Sequence, residues 1–268
     1  MYGTLLEFKV VIGILAAYFL LPVILIYAVQ RFRRNMQIVP FDPKTVPDSK
    51  RMTRYFDESI EAMAEIGFEC LGEFTLPDLM PNAKAVAQIY RNVTTRETAM
   101  VNSIWGIANG SVVARTRFAE FICRFDDPEL QLIQTSNITM LGSFPDTPEH
   151  LTFRLPQMER IGDLYTCHTR LMERYAPNAR RVSRLEEEFH GDPQSYLRQV
   201  VLVECFDRQI STGYLQTSED GWRPTSYGAI LMTWKELWPF KQLRIAALNR
   251  QGLKLEADLE DEFGPIPQ

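Results

Sequence analysis

The sequence is poor in the residues from which most catalytic and metal sites are built. It has four cysteines and three histidines in 268 residues. Cys70, Cys123, Cys167 and Cys205 are scattered, with no Cys-x-x-Cys pair, which excludes a disulfide-built scaffold and suits a reducing compartment. His150, His168 and His190 lie far apart, and there is no His-Glu-x-x-His run or Cys/His array. No Gly-x-Ser-x-Gly elbow occurs. Gly106-Ile-Ala-Asn-Gly110 is followed by no Gly-Lys-Ser/Thr and joins two predicted strands, so it is not a phosphate loop. No metal and no cofactor is therefore expected. An excess of positive charge is also missing. Lys+Arg number 29 against 34 Asp+Glu, a net charge of −5, which gives no support for nucleic-acid binding. Glu256, Asp258, Glu260, Asp261 and Glu262 account for that balance, so the rest of the chain is close to neutral.

Against these absences stands one long apolar run. Val10 to Val29 carries no charge, and as a helix it is about 30 Å long, the thickness of a bilayer's hydrocarbon core. In lipid the backbone must satisfy its own hydrogen bonds, so the run is expected to be helical through Gly13 and Pro22, with a kink at the proline. A cleaved signal peptide would have a basic start, a shorter apolar stretch and a small-residue cleavage site, which this segment lacks. Lys9 stands alone before the run, whereas Arg31, Arg33 and Arg34 follow it. The positive-inside rule then predicts a single pass, with the end before the run outside and the rest of the chain in the cytoplasm. Asn92-Val-Thr, Asn109-Gly-Ser and Asn137-Ile-Thr would be silent sequons on that side.

Five regions follow from patterning. Residues 1–34 form the anchor and its basic flank. Residues 35–48 hold three prolines and read as an extended linker. Residues 49–176 read as an α+β domain. A helix capped by Asp48 or Ser49 and ended by Gly67 places Met52, Tyr55, Phe56, Ile60, Met63 and Ile66 on one face. Strand-like runs follow at 68–74, 83–93, 98–105, 112–125, 130–136 and 151–155, broken by turns at 77–82, 94–95, 109–110 and 126–128. Short connections predict antiparallel neighbours, and a shift of alternation near Arg117 predicts a bulge. A second amphipathic helix covers 158–175. Residues 177–253 read as a helical extension, with Asp192-Pro193 opening a helix whose VVLVECF centre could equally be a buried strand. Residues 254–268 are acidic and are expected to be disordered. The fold class is thus α+β: one N-terminal transmembrane helix, then an antiparallel sheet covered by helices, then a helical extension.

Few residues carry chemistry. Cys167 and His168 are adjacent on a helix, so they point about 100° apart and cannot serve as a dyad. His168 falls on the apolar stripe, which predicts a buried histidine. His168 and His150 remain the only weak catalytic candidates, each needing a carboxylate supplied by the fold. Three of the four tryptophans cluster in Trp222–Leu243, where Trp222, Tyr227, Trp234, Trp238 and Phe240 mix with Lys235 and Lys241. That composition suits either a segment docked at the membrane surface or on a partner, or an aromatic helix packed in the core. The expected role is a membrane-anchored, non-catalytic binding or scaffolding component, with a protein partner or a second copy of the chain. One alternative is a lipid or apolar-ligand carrier with Phe118, Phe121, Ile122 and Phe125 around a pocket. Another is an enzyme acting on a membrane-derived substrate.

Overall fold

In the computed structural model of the chain, the apolar run is one helix, α1 (Tyr2–Val29), which continues through Pro22. The structure describes residues 2–46, 49–80, 83–108, 111–140 and 144–266. Two short strands follow α1: β1 (Phe32–Arg33) and β2 (Val39–Pro40). Helix α2 (Ser49–Glu65) leads into β3 (Glu69–Met80), β4 (Ala83–Asn92), β5 (Glu97–Ala108), β6 (Ser111–Phe125), β7 (Leu132–Ser136) and β8 (His150–Arg154). Then come α3 (Ile161–Tyr175), β9 (Arg181–Val182), α4 (Arg184–Glu187) and α5 (Pro193–Tyr196). A π-helical stretch, Leu197–Val203, continues into α6 (Glu204–Ser211). Strands β10 (Leu215–Ser218) and β11 (Gly221–Pro224) and helices α7 (Ser226–Glu236) and α8 (Phe240–Phe263) complete the order. The fold is mixed α+β, with one apolar N-terminal helix long enough to cross a membrane.

The chain divides into two units. The larger comprises Met36–Met140, Asp146–Leu202 and Ile245–Gln268. Its sheet runs β2-β3-β4-β5-β6-β7-β8, with β9 also paired to β6. The predicted apolar face of α2 lies on this sheet. Met52, Phe56 and Met63 pack with Val86, Tyr90, Val101 and Phe121 from the strands and with Leu164, Cys167 and Leu171 from α3. Helix α2 stops at Gly67, whose φ of 84° is left-handed. Phe68 N–H then reaches Met63 O at 2.9 Å, closing the end of the helix.

Several expectations need correction in this unit. The described part of the predicted linker, residues 35–46, is not free. Met36, Ile38 and Val46 are buried, and Val39 and Pro40 pair with Thr75 and Phe74 as an edge strand, the one place in a sheet where proline costs no ladder bond. The predicted bulge near Arg117 lies elsewhere. The β5–β6 ladder is unbroken from Ala114 to Ile122, and its register shifts at Gly106/Ile107, opposite Val112–Ala114. Phe118, Ala119, Glu120, Phe121, Ile122 and Cys123 are all buried, so both faces of β6 are covered and strict alternation is lost without any change of register. Strands β7 and β8 are parallel rather than antiparallel, because residues 137–149 are long enough for a crossover. Through residue 266 the acidic tail is not disordered. Helix α8 carries through it to Phe263, with Leu259 buried in the main core and Leu255, Phe263 and Ile266 against that core. Spacing by four puts 255, 259 and 263 on one stripe, leaving the acids outside. Arg174 Nε donates to Glu262 at 2.7 Å and Gln157 to Glu256 at 2.9 Å. The Asp48 cap, the Asn109-Gly110 turn and the end of the 77–82 turn lie outside the described residues.

The smaller unit comprises Met1–Asn35, Leu141–Pro145 and Val203–Arg244. It holds α1, α6, α7 and a three-stranded antiparallel sheet in the order β1-β11-β10. The expected helical extension therefore contains a hairpin, with Glu219 and Asp220 at its tip. The segment opened by Asp192 is helical from Pro193 to Ser211, its cap made by the Asp192 carboxylate accepting from Gln194 N–H. Its β-branched centre is accommodated as π-helix rather than as a strand.

Candidate membrane-facing site

The Lys9–Val29 stretch has none of its length buried. Exposure along α1 is nevertheless patterned. From Tyr2 to Tyr18 every residue whose burial is described is exposed, Gly13 included. Beyond it Phe19, Pro22, Val23, Ile26 and Gln30 are half-buried, a stripe at helical spacing, and α7 packs against α1. The other side of the same turns, with Leu21, Ile24, Leu25 and Val29, stays exposed. In the basic flank, Arg31 is exposed and bonds Gln30 O at 2.7 Å. Arg33 pairs with Gly221 in the β1–β11 ladder. Arg34 pairs with Asp207 at 3.2 Å and lies over the Trp222 ring at 4.9 Å. A surface hollow of about 600 Å³ is lined by Arg33, Arg34, Asn35 and the 217–221 hairpin.

The aromatic residues predicted as one contact segment divide into two groups. Trp222 is 0% exposed, its ring tilted against Phe206 at 5.0 Å between centroids, and its Nε1–H donates to Asp207 at 2.8 Å. It is a core residue of the small unit, held there by strand pairing with Phe32. Tyr227, Trp234, Trp238 and Phe240 are exposed, Trp238 at 67%, and Leu243 beside them at 64%. These lie on or after α7, where no strand pairs them inward. They stand next to α1. Tyr18 Oη donates to Trp238 O at 3.4 Å, Phe19 and Phe240 have ring centroids 6.4 Å apart, and Trp234 stacks near Phe240 at 6.5 Å. Sequence reasoning did not pair Tyr18 and Phe19 with this corner, because the two segments are some 220 residues apart in the chain.

The catalytic candidates are placed otherwise. His168 on α3 is 0% exposed; its Nδ1 bonds Thr135 Oγ1 at 2.8 Å and its ring stacks near Phe121 at 5.7 Å. Nε2 has no hydrogen-bond partner among the described residues. Burial, reinforced by Arg181, pushes its pKa down to about 3, so it is a neutral interior ring. His150 is buried at the start of β8, paired with Leu132. Phe121, proposed to line a pocket, packs against Phe68 at 5.4 Å and Tyr165 at 5.0 Å in the core. Phe118 instead borders a surface cleft of about 630 Å³ between α2, β6 and residues 156–162, with Tyr55, Arg117 and Asn137. Asn137 is a structural bridge there, accepting from Ala119 N–H and donating to Met158 O, each at 2.8 Å.

Two buried carboxylates were not singled out from the sequence. Glu120 Oε atoms accept from Asn102 at 3.2 Å and Gln134 at 2.6 Å across neighbouring strands. Burial raises its pKa to about 7, with the two amides acting in the opposite direction. Glu97 accepts from Tyr165 Oη at 3.0 Å and Arg181 at 2.9 Å, yet burial still lifts it above the ordinary carboxylate value. For Glu120 the sequence signal is an acid within the 112–125 strand-like run; Glu97, one residue before the 98–105 run, carries no such signal. No group of three or more metal-ligating side chains occurs among the described residues. In comparisons with protein-family models, with curated proteins and with solved structures, nothing matches the chain.

Proposed function

We propose that this chain is a single-pass membrane protein whose α+β unit acts as a non-catalytic binding component of a membrane assembly. The carrying observation is the unburied apolar length of α1. Aliphatic side chains of Lys9–Val29 lie open over about 30 Å, far beyond the apolar patches that a water-soluble monomer carries. The basic residues Arg31, Arg33 and Arg34 support an orientation with the folded units in the cytoplasm. The sealing of His168 supports a binding rather than catalytic role, since a neutral ring 0% exposed meets no substrate.

The experiment has two stages. Membranes from expressing cells are washed at alkaline pH, and the full chain should stay in the pellet. C-terminal fusions to reporters that work on only one side of the membrane should report the cytoplasmic side. The chain is then purified in mild detergent and its mass measured. A stable assembly, with itself or with a partner at fixed ratio, supports the role, whereas a clean monomer with nothing bound removes it. A second reading, a lipid-binding unit held at the membrane, draws on the cleft beside Phe118. Mass spectrometry of lipid extracted from the purified chain, near one molecule per chain, would favour it.

A further inference from the structure

The geometry points to α7 as a second membrane element, a half-length helix that enters the leaflet beside α1 and turns back at Trp238–Phe240. This inference rests on the reading of α1 as a span and adds what contacts the exposed aromatic patch, namely lipid acyl chains.

Two fixed points set the depth. At one end, Phe32 pairs with Trp222, only three residues after α1 ends at Val29. The start of α7 is thereby held level with the exit of α1. At the other end, Tyr18 and Phe19 touch Trp238 and Phe240. Phe19 is the midpoint of the Lys9–Val29 stretch. Helix α7 therefore runs antiparallel to α1 over its second half. Its 11 residues rise about 16 Å, and half of a 30 Å hydrocarbon core is about 15 Å. If α1 spans, the corner lies near the bilayer centre.

The chemistry of α7 fits such a place. It is too short to span, as a re-entrant or interfacial segment is. Tyr27 and Tyr227, both exposed, stand at the level of the exit, where tyrosine prefers to sit. Trp234, Trp238, Phe240 and Leu243 face outward above them. Two of the cations near the corner, Lys235 and Lys241, have partners, and Arg244 lies exposed one turn beyond Phe240. Lys235 is largely buried with its ammonium 5.0 Å from the Tyr214 ring, and Tyr214 lies against Gly228 near the base of α7, so the lysine bends back toward the exit. Lys241 is neutralised by Glu236 at 2.6 Å.

Tryptophan fluorescence tests this on the full chain reconstituted in phosphatidylcholine vesicles. Trp105 and Trp222 are buried inside the two units, so only Trp234 and Trp238 are open to a quencher. Lipids brominated deep in the acyl chain should quench the wild type, and more than lipids brominated near the carbonyls do. The Trp234→Phe, Trp238→Phe double variant should lose that quenching several-fold, while Trp238→Tyr alone should lose mainly the deep component. Strong quenching by aqueous acrylamide instead of lipid bromine would place the patch in water and overturn the inference. Quenching by neither would mean that protein, such as a second copy, covers it, and would overturn it equally. Alkaline washing of the same vesicles separates the two readings, because a chain retained by α1 with unquenched tryptophans refutes α7 alone.

Discussion

Replacing Glu120 with glutamine should stabilise the larger unit at alkaline pH and leave it nearly unchanged at acid pH. Glu120 sits in the middle of β6, buried, with the amides of Asn102 and Gln134 donating to its carboxylate. Its pKa of about 7 in the fold compares with 4.5 in a free chain. The folded state thus holds the proton more tightly, so stability is highest below the free-chain value and falls as pH rises from 4.5 to about 7. At about 1.4 kcal/mol per pH unit, the ionised form costs about 3 kcal/mol. Glutamine has the shape of the protonated acid and cannot ionise. Denaturant unfolding of the full chain in mild detergent, with and without E120Q, gives the difference at each pH, and every other titrating group cancels. The difference should be small at pH 4 and should favour E120Q by about 3 kcal/mol at pH 8. A difference that does not change with pH, or that favours the wild type more at pH 8, would refute the reasoning. His168 acts with the opposite sign. Its pKa falls from 6.5 to about 3 on folding, so it removes stability as pH drops below 6.5. In E120Q that loss should stand out as a slope between pH 6.5 and 4.5 that Glu120 offsets in the wild type.

Other expectations are simpler to measure. The carbon-bound ring protons of His168 should show no titration in NMR spectra between pH 8 and 4, given a pKa near 3. Leu259→Ala, in the acidic tail, should cost about 2–5 kcal/mol in the same unfolding assay, as for a fully buried leucine, whereas a disordered tail would give no change. Gly228→Ala should displace α7, because the added Cβ would lie 2.0 Å from Tyr214 O. The expected readout is weaker lipid-bromine quenching with unchanged retention in washed membranes.

How far the sequence could be read depended on the range of the interactions involved. The long apolar run, the faces of α2 and α3, and the strand runs of the sheet all follow from periodicity within about twenty residues. The burial of His168 followed from its place on the α3 stripe. What failed depended on partners distant in sequence. The five acids of the tail predict disorder, yet Leu255, Leu259 and Phe263 find the core from the far end of the chain. Residues 35–48 looked like a linker because their three prolines break every local pattern, but an edge strand needs few ladder bonds. The phase shift in β6 was read as a bulge because covering of both faces cannot be seen from one strand. Composition groups Trp222 with its neighbours, and pairing with Phe32 takes it out of that group.

That pairing also bears on why the small unit has the form it does. A single apolar helix fixes depth in a bilayer but leaves rotation about its own axis free. Here only Gln30 and Arg31 separate α1 from β1, so the sheet cannot swing far from the end of the helix. Strand β11 then passes into α7 after one residue, Thr225, whose Oγ1 accepts from Gly228 N–H at 3.0 Å and aims the new helix. Two tight connections therefore send α7 back along α1, against which it packs. Pro22 fits this arrangement, since it is half-buried on the stripe of Phe19, Val23 and Ile26 rather than on the exposed side of the helix. A helix clamped in this way has one defined side against protein and leaves the other, with Leu21, Ile24, Leu25 and Val29, open, so its rotation about its own axis is fixed.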